Sequence, residues 1–206
     1  ASVAFFDYCE KLLPVYKDDI RIWLISGNNY IDEYNPNGYD YIFSRYPYQY
    51  GWATWRSRWN LIKRENIPWK EMKSYELYRQ LFPQKKEAEY QIRSDEGLYD
   101  FVQKNPAWDF VMGFTAKNHG SFGIVPVENL VSNIGVTGAH NKGSNNKFHN
   151  KETSKKDSYV ILNPPPFVVP DYKYDRFFFK KMYYPNIQLH NRILRKLKRI
   201  FKWFYN

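Results

Sequence analysis

A short apolar run between two helical patterns restricts the fold of this chain more than any other feature. Residues 21–26 read Arg-Ile-Trp-Leu-Ile-Ser and are followed by the turn residues Gly27, Asn28 and Asn29, which predicts a buried strand that ends in a loop. A second short run spans residues 122–126. Because helical patterns come before, between and after these runs, the sequence predicts an α/β fold with a small mixed sheet flanked by helices.

The spacing of apolar residues predicts the other elements. The opening helix carries Val3 to Leu13 and ends or kinks at Pro14. From Gly51 the pattern becomes helical again, with three tryptophans on one face. Further helices are predicted over residues 70–81, 85–103, 108–117, 172–182 and 187–204, and further short strands before Phe43 and over residues 129–132. Residues 135–156 are rich in Gly, Asn and Lys, a composition typical of a long functional loop.

The composition narrows the class of partner. Aromatic residues make up 20% of the 206 residues, and that apolar surface excludes a disordered chain. The 31 Lys and Arg exceed the 21 Asp and Glu by 10, so an anionic partner is expected. Six of the basic residues lie within residues 189–206, which contain no acid. With this uneven distribution and no nucleic-acid motif, we expect no nucleic-acid partner.

Cellular location is inferred from cysteine usage and hydropathy. Cys9 is the single cysteine, so the chain has no intramolecular disulfide and suits a reducing compartment. No apolar run reaches the roughly 20 residues that cross a bilayer, and no signal peptide is visible. We therefore expect a cytoplasmic protein. The chain starts at Ala1 within a helical pattern, and we interpret it as a piece of a longer protein.

Residues 186–206 are predicted to form a separate basic amphipathic helix. Ile193, Leu197, Ile200 and Phe204 recur on one face, with Lys and Arg around them. Basic amphipathic helices with aromatic residues bind anionic membrane surfaces, which would place the protein at the inner face of the cytoplasmic membrane. The alternative is a helix that packs on the domain with a solvated basic edge.

Five sequence blocks, in order, resemble a bacterial family of nucleotide-diphospho-sugar transferases, also described as hemolytic-protein-like. The blocks are residues 25–29, 43–47, 51–56, 108–109 and 129–135, and the likeness continues through Ala139-His140 to the proline-rich segment near Pro165. It covers about residues 1–180. A weaker similarity connects the Trp108-Asp109 pair to the Golgi enzyme that adds N-acetylglucosamine to N-glycans.

The resemblance implies a partial GT-A fold, with residues 1–185 as the C-terminal, acceptor-side part of the domain. It also implies a nucleotide-sugar donor, a glycan or lipid-linked acceptor, and a divalent metal, Mn²⁺ or Mg²⁺, held by an Asp-x-Asp motif. In the family that motif comes directly before the helix that matches residues 2–13. Here it would lie before Ala1, so no metal ligand is expected within this chain.

Asp109 is the candidate catalytic residue. An inverting sugar transfer needs a carboxylate that takes the proton of the attacking hydroxyl, and the resemblance of the Trp108-Asp109 pair gives Asp109 that role. The alternative is structural, because an Asp at the start of a predicted helix is a favoured N-cap.

The remaining candidates are predicted to bind substrate. They are Ser26, Gly27, Asn28, Asn29, Arg45, Gly51, Trp52, Trp108 and His140. Polar residues that follow a strand of an open α/β sheet lie where ligands bind, a glycine lets a sugar approach the backbone, and an indole can stack on a pyranose ring. The alternatives are ordinary turn residues, solvated arginines at positions 45 and 56, an exposed loop histidine, and a buried stripe for Trp55 and Trp59.

Two functions fit these features. The first is a glycosyltransferase that inverts the anomeric carbon with Asp109 as the base. The second is a non-catalytic carbohydrate-binding or membrane-peripheral module derived from a transferase, which would bind glycan or lipid without consuming a donor.

Overall fold

The computed structural model describes residues 1–31, 34, 37–47, 49–63, 67–74, 76–105, 107–135, 137–138, 141–142 and 152–183. The helices are α1 (Val3–Val15), α2 (Arg56–Trp59), α3 (Trp69–Ser74), α4 (Leu77–Leu81), α5 (Lys85–Lys104), α6 (Trp108–Asn118) and α7 (Tyr172–Met182). The strands are β1 (Ile22–Ser26), β2 (Tyr41–Ser44), β3 (Trp52–Ala53), β4 (Phe122–Pro126), β5 (Thr137–Gly138) and β6 (Asn141–Lys142). The predicted mixed α/β class, with a small sheet and flanking helices, is confirmed.

Four of the strands form a mixed sheet in the order β2-β4-β1-β3. β4 pairs in parallel with β1 and antiparallel with β2, while β3 pairs antiparallel with β1. Every residue of β1 and β4 is buried, as expected for central strands covered on both faces. β5 and β6 form a separate antiparallel pair.

Helices cover both faces of this sheet. Side chains alternate along a strand, so Tyr41 and Phe43 of β2 pack on the α1 side, while Ile42 packs in the cluster on the other side. On the first face α1 contributes its buried residues, Ala4, Phe5, Tyr8, Cys9 and Leu12. On the second face the core contains residues of α3 to α7, including Trp69, Tyr78, Val111, Phe114 and Phe178.

The first helix ends at Val15, one residue after Pro14, where the sequence predicted an end or a kink. The structure corrects three other predicted elements. The predicted helix over residues 70–81 is two helices, because Glu76 has a left-handed backbone with φ 51°. Residues 129–132 are not a strand; the Leu130 and Val131 amides donate instead to the Gly27 carbonyl, at 2.8 and 3.0 Å.

The third correction concerns the segment after Gly51, which was predicted to be helical. Trp52 belongs to a strand, since it pairs with Ser26 of β1. The helix begins only at Arg56, after Trp55. The tryptophan spacing therefore does not mark one helical face.

Within the described residues, no helix is long and apolar enough to cross a membrane. Residues 186–206 lie outside the described part of the chain, so the basic helix and its membrane contact stay predictions.

Candidate active site

Asp109 lies in the first turn of α6 and lines a cavity of about 290 Å³. Ala107 occupies the N-cap position, so the alternative interpretation of Asp109 as the helix N-cap is wrong. The Asp109 side chain is half-buried and makes no hydrogen bond or ion pair to the described residues. Both carboxylate oxygens therefore stay available to a ligand in the cavity.

The cavity lies between α5, α6 and one face of the sheet. Trp23 and Leu24 of β1 line it together with Gln91 and Asp95 of α5. The Trp23 indole is buried, and its Nε1 has no hydrogen-bond partner among the described residues. A buried donor without an acceptor costs roughly 1–3 kcal/mol.

Two cations line the cavity in the described part of the chain, Arg45 and Lys117. The Arg45 guanidinium donates to the Asp175 carboxylate at 3.3 Å, and the Lys117 ammonium pairs with Asp95. Both acids are buried. Each cation is thus held in place by an ion pair with a buried acid, while its own side chain remains partly exposed.

Asp175, on α7, is the most perturbed carboxyl group of this region. It accepts hydrogen bonds from the Ser44 hydroxyl at 2.6 Å and from the Arg45 backbone amide at 3.2 Å. Burial raises the pKa of the Asp175 carboxyl to about 7, and it outweighs Ser44 and Arg45, which lower the pKa. The sequence offered no signal for this group, because Asp175 lies inside an ordinary amphipathic helix.

Asp175 is expected to make stability depend on pH. A carboxyl whose pKa is higher in the folded chain than in the unfolded chain favours folding while it is protonated, and this contribution falls as pH rises from about 4 to about 7. We expect urea unfolding to show the wild type losing roughly 2–3 kcal/mol between pH 5 and pH 8 relative to Asp175→Asn. Parallel pH profiles for the two proteins would contradict this assignment.

Three tryptophans meet beside the cavity, although they come from different elements. The Trp52 ring stacks on Trp108 at 5.6 Å between centroids and on Trp59 at 6.0 Å, and Trp59 lies 5.8 Å from Trp108. We call these three residues the Trp cluster. Trp59 is 46% exposed and Trp108 is 45% exposed, so the predicted buried stripe is wrong for Trp59. Trp55 lies elsewhere, half-buried, and donates its Nε1 hydrogen to the Leu13 carbonyl.

The Trp cluster and the cavity share a wall. Trp23, Leu24 and Met112 line the cavity and form a small buried cluster against which Trp52 packs. Trp108 directly precedes Asp109. The cluster and the unpaired carboxylate are therefore carried by consecutive residues at the start of α6, with Asp109 in the cavity wall and Trp108 in the cluster.

The loop of Ser26, Asn28 and Asn29 is buried rather than open to the cavity, and none of these residues is among those that line it. The Asn28 amide group donates to the Val131 carbonyl at 2.5 Å, and the Asn29 amide group donates to the Pro126 carbonyl at 2.9 Å. These contacts give Asn28 and Asn29 a structural role, because they join this loop to the end of β4 and to the segment that follows it. The role of this loop in substrate binding stays a prediction.

Gly27 and Gly51 allow close packing of the same loops. The Gly27 amide donates to the Gly51 carbonyl at 2.7 Å. A Cβ atom on Gly51 would lie 2.4 Å from a Val131 methyl group, and one on Gly27 would lie 2.6 Å from the same methyl. Packing against Val131 thus accounts for both glycines without a sugar.

The other predicted residues are dispersed. Arg56 is exposed on α2. His140 lies outside the described residues, so its predicted contact with the donor stays untested. Lys117 was not among the predicted site residues. Its position two turns after Asp109 on the same predicted helix could have indicated that the two side chains lie near each other.

The described residues contain no group of three or more His, Cys, Asp or Glu that could hold a metal ion. The divalent metal implied by the resemblance therefore has no fitting site among these residues, and no step of a reaction is assigned to it. Comparisons with protein families, with curated proteins and with solved structures found no match to this chain.

Proposed function

We propose that this chain is the acceptor-side part of a GT-A glycosyltransferase, which transfers a sugar from a nucleoside-diphosphate donor to a glycan or lipid-linked acceptor. One observation supports this proposal more than any other. The Asp109 carboxylate has no partner among the described residues, lines a cavity, and directly follows the exposed Trp108. A free acid beside an aromatic surface can accept a proton from a sugar hydroxyl that the aromatic ring positions.

In the proposed reaction, Asp109 takes the proton of the acceptor hydroxyl as its oxygen attacks the anomeric carbon of the donor sugar. The bond from that carbon to the diphosphate oxygen breaks, and the nucleoside diphosphate leaves with the electron pair. Because one attack occurs opposite the leaving group, the anomeric configuration inverts. Arg45 and Lys117 are the described cations of the cavity, and they would face the charge that develops on the leaving diphosphate.

The size of the cavity agrees with a sugar ring rather than a whole donor. At about 290 Å³ it is at the small end of the roughly 300–1,000 Å³ of typical ligand pockets. The nucleoside part of the donor would then lie outside the cavity, while its diphosphate faces Arg45 and Lys117 of the cavity wall.

A non-catalytic carbohydrate-binding module is the second candidate. The exposed Trp cluster favours it, because an aromatic surface can bind a glycan without any donor. The two candidates differ in turnover.

Turnover is measured in the protein encoded by the whole reading frame that contains this sequence. Purified protein is incubated with UDP-, GDP- and dTDP-hexoses, Mn²⁺ or Mg²⁺, and a panel of glycans. We expect nucleoside diphosphate release that depends on one acceptor. Glycan binding without nucleoside diphosphate release from any donor would contradict the transferase and favour the binding module.

A further inference from the structure

The Trp cluster presents two half-exposed indole rings on the surface next to the candidate base. We propose that the Trp cluster is a glycan-binding surface, on which a pyranose ring of an oligosaccharide acceptor stacks while its hydroxyls reach Asp109. This inference deepens the proposed function. It rests on that function only in identifying the bound glycan as the acceptor. It names the acceptor class, an oligosaccharide, and three residues that recognise it.

The geometry of the cluster suits a flat, partly apolar ligand. The three ring centroids form a nearly equilateral triangle, in which the Trp52 ring is inclined by 25° to Trp59 and by 30° to Trp108. Trp59 and Trp108 are fixed by Trp52 and still expose nearly half of their surfaces. Rigid aromatic rings of this kind bind with little loss of conformational entropy.

The surroundings of the cluster are polar, as a sugar requires. Arg56, Ser57 and Asn60 are exposed around Trp59 on α2, and the unpaired Asp109 carboxylate follows Trp108. Pyranoses have apolar C–H faces and hydroxyls at the rim, so rings flanked by hydrogen-bonding groups complement them.

Other occupants fit this surface less well. A bilayer would gain little apolar contact here, because interfacial helices bury a whole apolar face, whereas α2 is four residues long and exposes one indole. A second copy of this chain would be expected to bury a larger apolar area than two half-exposed indoles supply. Trp52 also packs against Trp23, Leu24 and Met112, which line the cavity. An oligosaccharide that is bound on the cluster and reacts in the cavity needs such a continuous surface.

The test measures glycan binding without a donor, by titrating cellohexaose, maltohexaose and chitohexaose into the full protein and recording tryptophan fluorescence and saturation-transfer NMR. We expect a wild-type dissociation constant in the millimolar range or below for at least one hexasaccharide. Trp59→Ala should raise this constant about tenfold, and Trp59→Phe should recover part of the affinity because it keeps a ring. Phe167→Ala removes an aromatic side chain that is 72% exposed elsewhere and should leave binding unchanged.

The readouts separate this proposal from the catalytic one. Asp109→Asn should still bind the hexasaccharide on the cluster while its turnover falls. Hexasaccharide binding by the wild type, without nucleoside diphosphate release from any donor, would overturn the transferase and keep the glycan surface. Three results would overturn the glycan surface: no binding of any hexasaccharide, equal affinity in the wild type and Trp59→Ala, or a Trp59-dependent contact with phosphatidylglycerol vesicles or between copies of the chain in sedimentation.

Discussion

Asp109→Asn is expected to lower kcat for sugar transfer about 10²–10⁴-fold, the usual contribution of a general base. Asparagine keeps the size of the side chain and its place in the cavity, but it cannot take the proton of the acceptor hydroxyl. The loss corresponds to roughly 3–5 kcal/mol of activation free energy. The Asp109 carboxylate has no partner among the described residues, so the substitution leaves no described group unpaired.

Glu71→Gln provides the matched control for this variant. Glu71 is an exposed acid in the first turn of α3, where it makes the same kind of helix-dipole interaction as Asp109, but it is not among the residues that line the cavity. Each variant should change the free energy of unfolding by less than about 1 kcal/mol. Only Asp109→Asn should change kcat, and equal turnover of the three proteins would remove Asp109 from the mechanism.

Gly51→Ala is expected to have the largest effect on stability, a loss of roughly 2–6 kcal/mol. Two costs add. The backbone of Gly51 has φ +66°, a left-handed conformation that costs other residues roughly 1–3 kcal/mol. The new Cβ would also lie 2.4 Å from a methyl group of the buried Val131, and such overpacking costs roughly 1–3 kcal/mol. The sum is a large share of the about 5–15 kcal/mol that hold a typical domain folded.

Two further variants separate these costs in urea unfolding followed by far-UV circular dichroism. Gly120 has φ +61° but no heavy atom within 4 Å of a new Cβ, so Gly120→Ala should lose only the backbone part, roughly 1–3 kcal/mol. Val131→Ala removes both methyl groups and should cost less in the Gly51→Ala background than alone. A Gly51→Ala protein as stable as Gly120→Ala would show that the contact with Val131 is not tight.

Elements with a strong local signal could be predicted from the sequence. The apolar run at residues 22–26, the long helix that ends near Lys104 and the helix that begins at Trp108 all have sharp compositional limits. The elements around Trp52 and Leu130 could not be predicted, because their conformations depend on distant partners. Trp52 pairs with Ser26, and the Leu130 amide donates to the Gly27 carbonyl.

The residue types of the candidate site could be predicted from the sequence, but most of their spatial arrangement could not. The Trp108-Asp109 pair was recognisable from the sequence, and the structure places Asp109 in the wall of a cavity and Trp108 in the Trp cluster. Trp52 and Trp59 contact Trp108 only through the tertiary packing of three elements. The sequence spacing of Trp52, Trp55 and Trp59 had instead indicated a single helical face. The fixing of Arg45 by Asp175 joins positions 130 residues apart, and no local pattern reports such a pair.

The central claim is a single displacement at the anomeric carbon, assisted by the Asp109 carboxylate. It is tested most directly by ¹H NMR of the first product that the full protein forms from an α-linked nucleotide sugar. The account predicts a β-linked product, because the acceptor oxygen attacks opposite the departing diphosphate. An α-linked product would require two displacements or attack on the same face, and it would contradict the assignment of Asp109 as the base.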